Sequence, residues 1–104
     1  MRPERRRALR QPFIAKAEIF DEKKGLRTSS RVKDLTLHGC YVEMENPLPR
    51  GTRVLLEIFT ESEFLETHAT VVYLEPEQGM GLTFTEMPEG FASVLSKWLE
   101  QASA

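Results

Sequence analysis

Residues 40–45, Cys40-Tyr41-Val42-Glu43-Met44-Glu45, decide the fold because apolar and outward-type side chains alternate along them without a break. Successive side chains on a strand point to opposite faces, so Cys40, Val42 and Met44 share an inner face and Tyr41, Glu43 and Glu45 an outer one. The same reading extends in both directions. Downstream, Arg53 to Phe59 places Val54, Leu56 and Ile58 on one face. Upstream, Phe13 to Phe20 does so with Phe13, Ala15, Ala17 and Ile19, after a break at Pro12. Arg27 to Leu35 reads as a more polar strand, and Phe64 to Leu74 as a longer one whose faces are ambiguous, since Val71, Val72, Tyr73 and Leu74 are all apolar. Met80 to Thr85 closes the series. Turn signals separate these runs at Asp21 to Gly25, Thr36 to Gly39, Asn46 to Gly51 and Glu75 to Gly79, and Gly39 is expected to supply a positive backbone angle. About six strands at roughly 10-residue spacing predict a mostly β protein, a small antiparallel barrel or sandwich. The period changes only behind Pro88, where Phe91, Val94, Leu95, Trp98 and Leu99 recur at helical spacing. A C-terminal helix should lay this stripe across the barrel.

The 104 residues suffice for one core and are too few for two. With 40 % hydrophobic and 29 % charged residues the composition is that of a globular domain. No apolar run reaches the roughly 18 to 20 residues of a membrane span, and no signal-peptide pattern follows the basic start. The single cysteine, Cys40, has no internal disulfide partner, which fits a reducing compartment. The expectation is a cytoplasmic protein without membrane insertion.

The net charge of −2 conceals an asymmetry. Residues 1–10 carry five basic and one acidic side chain, and the remainder nine basic against 15 acidic, a net of −6. A basic arm on an acidic body attracts a compact anion, whereas the body repels a long polyanion. The arm contains Arg5, Arg6, Arg7 and Arg10, whose guanidinium forks match phosphate and the acceptor edge of guanine. Asp34-Leu35-Thr36-Leu37-His38-Gly39 offers a carboxylate and a hydroxyl suited to guanine's other edge. Taken singly, an arginine-rich terminus is more often a solvated arm, and such an Asp-Thr-Gly stretch is more often an ordinary turn. Together they point to a guanine nucleotide.

These residues resemble the PilZ domain family of bacterial cyclic di-GMP receptors. Arg6 to Arg10 is similar to the family's R-x-x-x-R segment, and Asp34 to Gly39 to its D/N-x-S-x-x-G turn, with Thr36 in place of serine; Gly79 to Phe84 is similar to its closing strand. The resemblance implies a six-stranded antiparallel barrel over residues 13–104, preceded by a flexible basic ligand-binding arm over 1–12. It implies that Arg6 and Arg10 clamp phosphate and the guanine O6/N7 edge with Arg5 assisting, that Asp34 accepts from guanine N1 and N2, that Thr36 adds a hydroxyl contact, and that Gly39 lets the ligand approach the backbone. Arg7 is a candidate for a second stacked ligand and Tyr73 for stacking on a base. Cys40 borders the motif, although alternation assigns it to the core.

The function implied is a stand-alone cyclic di-GMP receptor or adaptor: the ligand orders the arm over the barrel and alters contact with an unidentified effector protein. The alternative is a degenerate module of the same fold that works through protein contacts and binds no nucleotide, and a third class, a nucleic-acid binder using the arm, predicts a steep salt dependence. No nucleophile elbow, phosphate-binding glycine loop or metal-ligand spacing points to an enzyme, a cofactor or a metal; His38, Cys40 and His68 lack the spacing of a ligand set.

Overall fold

The computed structural model describes residues 11–103, which form strands β1 (Gln11–Asp21), β2 (Leu26–Leu35), β3 (Gly39–Glu43), β4 (Arg53–Phe59), β5 (Phe64–Glu75) and β6 (Gly79–Glu86), followed by helix α1 (Glu89–Ser103). The strands close into an antiparallel barrel in the order β1-β2-β3-β6-β5-β4. Closure leaves no free sheet edge, which is how so small a β protein avoids edge-to-edge association.

Alternation sorts the side chains as the sequence predicts. Ala15, Ala17 and Ile19 of β1, Cys40 and Val42 of β3, and Val54, Leu56 and Ile58 of β4 are buried, joined by Val32, Leu35, Leu65, Ala69, Val71, Met80 and Leu82. Burying each large aliphatic side chain is worth about 1.5–3 kcal/mol, and this interior carries the fold. The apolar quartet on β5 resolves through an irregularity in its pairing with β6 between Val71 and Tyr73. Val71 stays inside, whereas Val72, Tyr73 and Leu74 are exposed.

Two sequence expectations change. Strand β1 begins at Gln11 and runs through Pro12, which was expected to break the chain; Pro12 lies opposite Asp34 beside a register shift between Pro12 and Ala15. Proline lacks an N–H, and the first residues of a strand next to a bulge are where a sheet tolerates that. Gly39 is not a positive-φ residue: among the described glycines only Gly25 and Gly51 are. It is a glycine because an added Cβ would fall on the Leu82 carbonyl of β6.

Helix α1 packs against β1 and β5. Leu95 and Trp98 are buried, with Phe91, Val94 and Leu99 packed beside them. The Trp98 ring stacks on Phe13 with centroids 5.3 Å apart, and its Nε1–H donates to Glu63 Oε1 at 3.1 Å. The helix therefore lies over the barrel end where β1 starts and where the β2–β3 and β4–β5 turns are found. The opposite end carries the β1–β2 turn, the β3–β4 loop and the β5–β6 turn.

Candidate functional site

The β2–β3 turn is built around one hydroxyl. Thr36 Oγ1 accepts the backbone N–H of His38 at 3.0 Å and of Gly39 at 2.9 Å, and its own proton points at the Gly39 carbonyl at 3.2 Å. The Thr36 N–H also donates to that carbonyl at 2.8 Å, and the Phe84 N–H donates to the His38 carbonyl at 2.8 Å, which ties the turn to β6. A hydroxyl has one donor and two acceptor sites. All three of Thr36's are occupied within the turn.

The turn opens onto a cleft of about 180 Å³. Asp34, Thr36, Gly39 and Cys40 line one side, Val72 and Tyr73 the other, and Gly81 and Leu82 lie between them. Register explains the convergence. Tyr41 of β3 and Tyr73 of β5 both lie opposite Gly81 on the intervening strand β6. A Cβ on Gly81 would strike the Tyr73 ring, and one on Gly79 would strike the Tyr41 ring and the Val42 carbonyl. The Gly-Met-Gly alternation of β6 thus leaves a bare strip on the outer face. Across it the two tyrosine rings lie in offset register, centroids 6.2 Å apart and planes 28° apart.

Tyr41 is held from its far end, where its hydroxyl donates to Glu75 Oε1 at 2.5 Å. Burial, followed by this hydrogen bond and by the negative charge of Glu75, pushes the Tyr41 phenol up to about 12. Burial first and the Asp34 charge second raise the Cys40 thiol, so it stays protonated. Cys40 is only 6 % exposed and belongs to the core, as alternation requires, while bordering the cleft.

Sequence reasoning named Asp34, Thr36, Gly39, Cys40 and Tyr73, and the fold brings all five to this cleft. Arg5, Arg6, Arg7 and Arg10 lie outside the described residues. The chain segment they belong to joins the barrel at Gln11, which pairs with Leu35, next to Asp34 and Thr36. Tyr41 and Gly81 were missed. Tyr41 read only as an outward residue, and the signal that marks it is the pair of outward glycines, Gly79 and Gly81, which makes sense only if something flat lies over them.

A larger hollow of about 930 Å³ flanks β2 and β3, shares Tyr41 with the cleft and mixes Arg31 and Lys33 with Glu43, Glu45 and Glu77. It contains none of the turn residues and no second aromatic, so the smaller cleft is the better candidate.

A family model described as the PilZ domain matches residues 4–101, a span that takes in both the arginine segment and the turn. The chain belongs to the PilZ domain family. Solved structures agree on the PilZ fold at low sequence identity. The PilZ domain of CeSA from a cellulose-synthesizing bacterium is 18 % identical with a TM-score of 0.72, covering 91 % of this chain and 98 % of that one. The PilZ domain of Escherichia coli YcgR, solved with c-di-GMP, is 12 % identical with a TM-score of 0.74, covering 90 % and 88 %. The Bacillus subtilis inhibitor of motility MotI/DgrA is 18 % identical with a TM-score of 0.76, and the match covers 91 % of this chain and 49 % of that protein. No curated protein matches in sequence.

Proposed function

We propose that this PilZ domain is a cyclic di-GMP receptor that responds to its ligand by drawing the arginine segment onto the β2–β3 turn. One observation carries the reading: Gln11, the residue after Arg10, is paired with Leu35, so the arginine segment enters the barrel beside Asp34 and the Tyr73 cleft. A chain spans at most about 3.6 Å per residue, which keeps Arg6 within roughly 18 Å of Gln11. The guanidinium groups thus have a short route to the turn. Two proteins of similar fold, the PilZ domain of YcgR and the Borreliella burgdorferi PlzA protein, have been solved with c-di-GMP, which supports the ligand assignment.

In this reading Arg6 and Arg10, with Arg5 assisting, neutralise the phosphates and take the guanine O6/N7 edge. Asp34 accepts from N1 and N2, and Tyr73 offers its exposed face to a base. Thr36 acts through the shape of the turn, since its hydroxyl is already engaged there. Gly39 acts the same way, by allowing β6 to come close enough to close the cleft floor. Ordering the arm costs about 1–2 kcal/mol per residue in backbone entropy, and several charge-assisted contacts must offset it. The altered surface is then read by an effector protein in the cytoplasm. The protein is a binding module, with no catalytic step assigned to any residue.

Titration calorimetry with cyclic di-GMP, cyclic di-AMP and GTP tests the proposal. The expected result is guanine-selective binding that weakens in both Arg10→Ala and Asp34→Ala. Equal response to the adenine and guanine ligands removes Asp34 as a base reader, and no binding at all leaves the alternative of a protein-interaction module.

A further inference from the structure

The barrel end that carries the β1–β2 turn and the β3–β4 loop, opposite the β2–β3 turn, holds a concentration of positive charge. Between the β1–β2 turn and the β3–β4 loop lies a hollow of about 640 Å³ lined by Lys23, Lys24, Arg50 and Arg53 together with Asp21 and Glu22. Residues 11–104 contain nine basic and 15 acidic side chains, so four of the nine cations gather at one end of a body that is otherwise strongly negative. The two carboxylates offset only part of this charge, and neither is ion-paired with one of the four cations. The Asp21 carboxylate is buried and accepts the backbone N–H groups of Lys23 at 3.1 Å and Lys24 at 3.3 Å. Glu22 is turned to His68, with Oε2 and Nδ1 2.8 Å apart. Among the described residues, the cations paired with carboxylates through nitrogen side chains are Arg27 with Glu18 and Glu57, and Lys97 with Glu63, all outside this hollow.

Both walls are fixed in shape. Gly25, at φ 70°, closes the first turn through its N–H to the Asp21 carbonyl at 2.7 Å. Gly51, at φ 92°, ties the second wall to β5 through its N–H to the Val71 carbonyl at 2.7 Å, and Val71 returns a bond to the Thr52 carbonyl at 2.9 Å. Thr52 Oγ1 donates to the Pro49 carbonyl at 2.6 Å and holds the loop that presents Arg50. Cations on preorganised turns bind anions with less ordering cost than the same charges on a mobile chain.

We propose that this end of the barrel is a docking surface for an acidic protein segment, a short stretch rich in Asp and Glu side chains. Charge complementarity identifies the occupant. A duplex or a long single strand would bring its phosphates against the acidic flanks of the barrel, whereas a short segment of carboxylates meets a lining in which four cations outnumber two carboxylates. The hollow shares no lining residue with the cleft at the β2–β3 turn. The inference stands independently of the cyclic di-GMP reading.

Fluorescence anisotropy with a labelled Glu/Asp-rich peptide of about ten residues tests it, using the full chain at low and at physiological salt. The expected result is binding that Arg50→Glu/Arg53→Glu weakens at least tenfold and that Lys23→Gln/Lys24→Gln, on the other wall, weakens in the same direction, with circular dichroism unchanged. Arg6→Ala/Arg10→Ala should leave most of the peptide affinity in place, which separates this surface from the arginine segment. The proposal is overturned if both hollow variants bind the peptide like the parent chain or if the arm variant abolishes binding. Tighter capture of an oligonucleotide of equal charge, or of phosphatidylserine vesicles, through the same four residues would also overturn it.

Discussion

Thr36 and Gly39 show how a single residue shapes the candidate site without offering a new ligand contact. Replacing Thr36 by the isosteric valine removes three hydrogen bonds of the turn and should lower stability by about 1–3 kcal/mol in denaturant unfolding, while Thr36→Ser, which keeps the hydroxyl, should behave almost as the parent. The side chains expected to touch the ligand answer differently. In the proposed complex Arg10→Ala or Asp34→Ala would remove a charge-assisted hydrogen bond worth about 1.5–3 kcal/mol, so calorimetry should report an affinity for cyclic di-GMP lower by roughly tenfold to a hundredfold. An exposed Tyr73 over a glycine is a position where tolerance is one-sided. Tyr73→Phe keeps the ring, whereas Gly81→Ala pushes a methyl group into it and should disturb both the ring pair and ligand affinity.

At the scale of elements, α1 is held by its apolar stripe and by one acidic residue on a neighbouring turn. Trp98→Ala empties the largest fully buried side chain in the described protein and should destabilise it by about 3–5 kcal/mol. Hydrogen bonds from Lys97, at 2.8 Å, and from Trp98 hold the Glu63 carboxyl below its ordinary value of about 4.5. A depressed folded-state value means the bonds contribute fully above the unfolded-state value and are lost as pH falls through the folded one. Acid titration followed by the fluorescence of Trp98, the single tryptophan, should therefore show the helix contact loosening below about pH 4.5. Glu63→Gln should flatten that part of the profile, and an unaltered profile in the variant would show that Glu63 does not control it.

For the molecule as a whole, a ligand that binds only the folded state raises its stability by mass action. At a concentration a hundredfold above the dissociation constant the gain is about 2.7 kcal/mol, which for a domain of this size raises the melting temperature on the order of 10 °C. Cyclic di-GMP should produce this shift in the parent and much less of it in Arg10→Ala. The segregation of charge, with five basic side chains within residues 1–10 and four cations around one hollow on a body of net −6, further predicts that both binding events weaken as salt rises.

The residue pattern by itself determined which side chains face inward, where the turns fall, that the last element is a helix, and which turn carries the carboxylate and hydroxyl. These follow from local periodicity, a property of neighbours in the chain, as in Val54, Leu56 and Ile58 or in the Phe91 to Leu99 stripe. Which faces the apolar run at Val71 to Leu74 presents, why Gly39 must be glycine, and that Tyr41, Gly81 and Tyr73 stand in one row were decided only by tertiary structure. Each depends on register between strands far apart in sequence, and the placing of Val72 to Leu74 depends also on the irregularity in the β5–β6 pairing between Val71 and Tyr73. A one-residue slip would send every one of those side chains to the other face of the barrel.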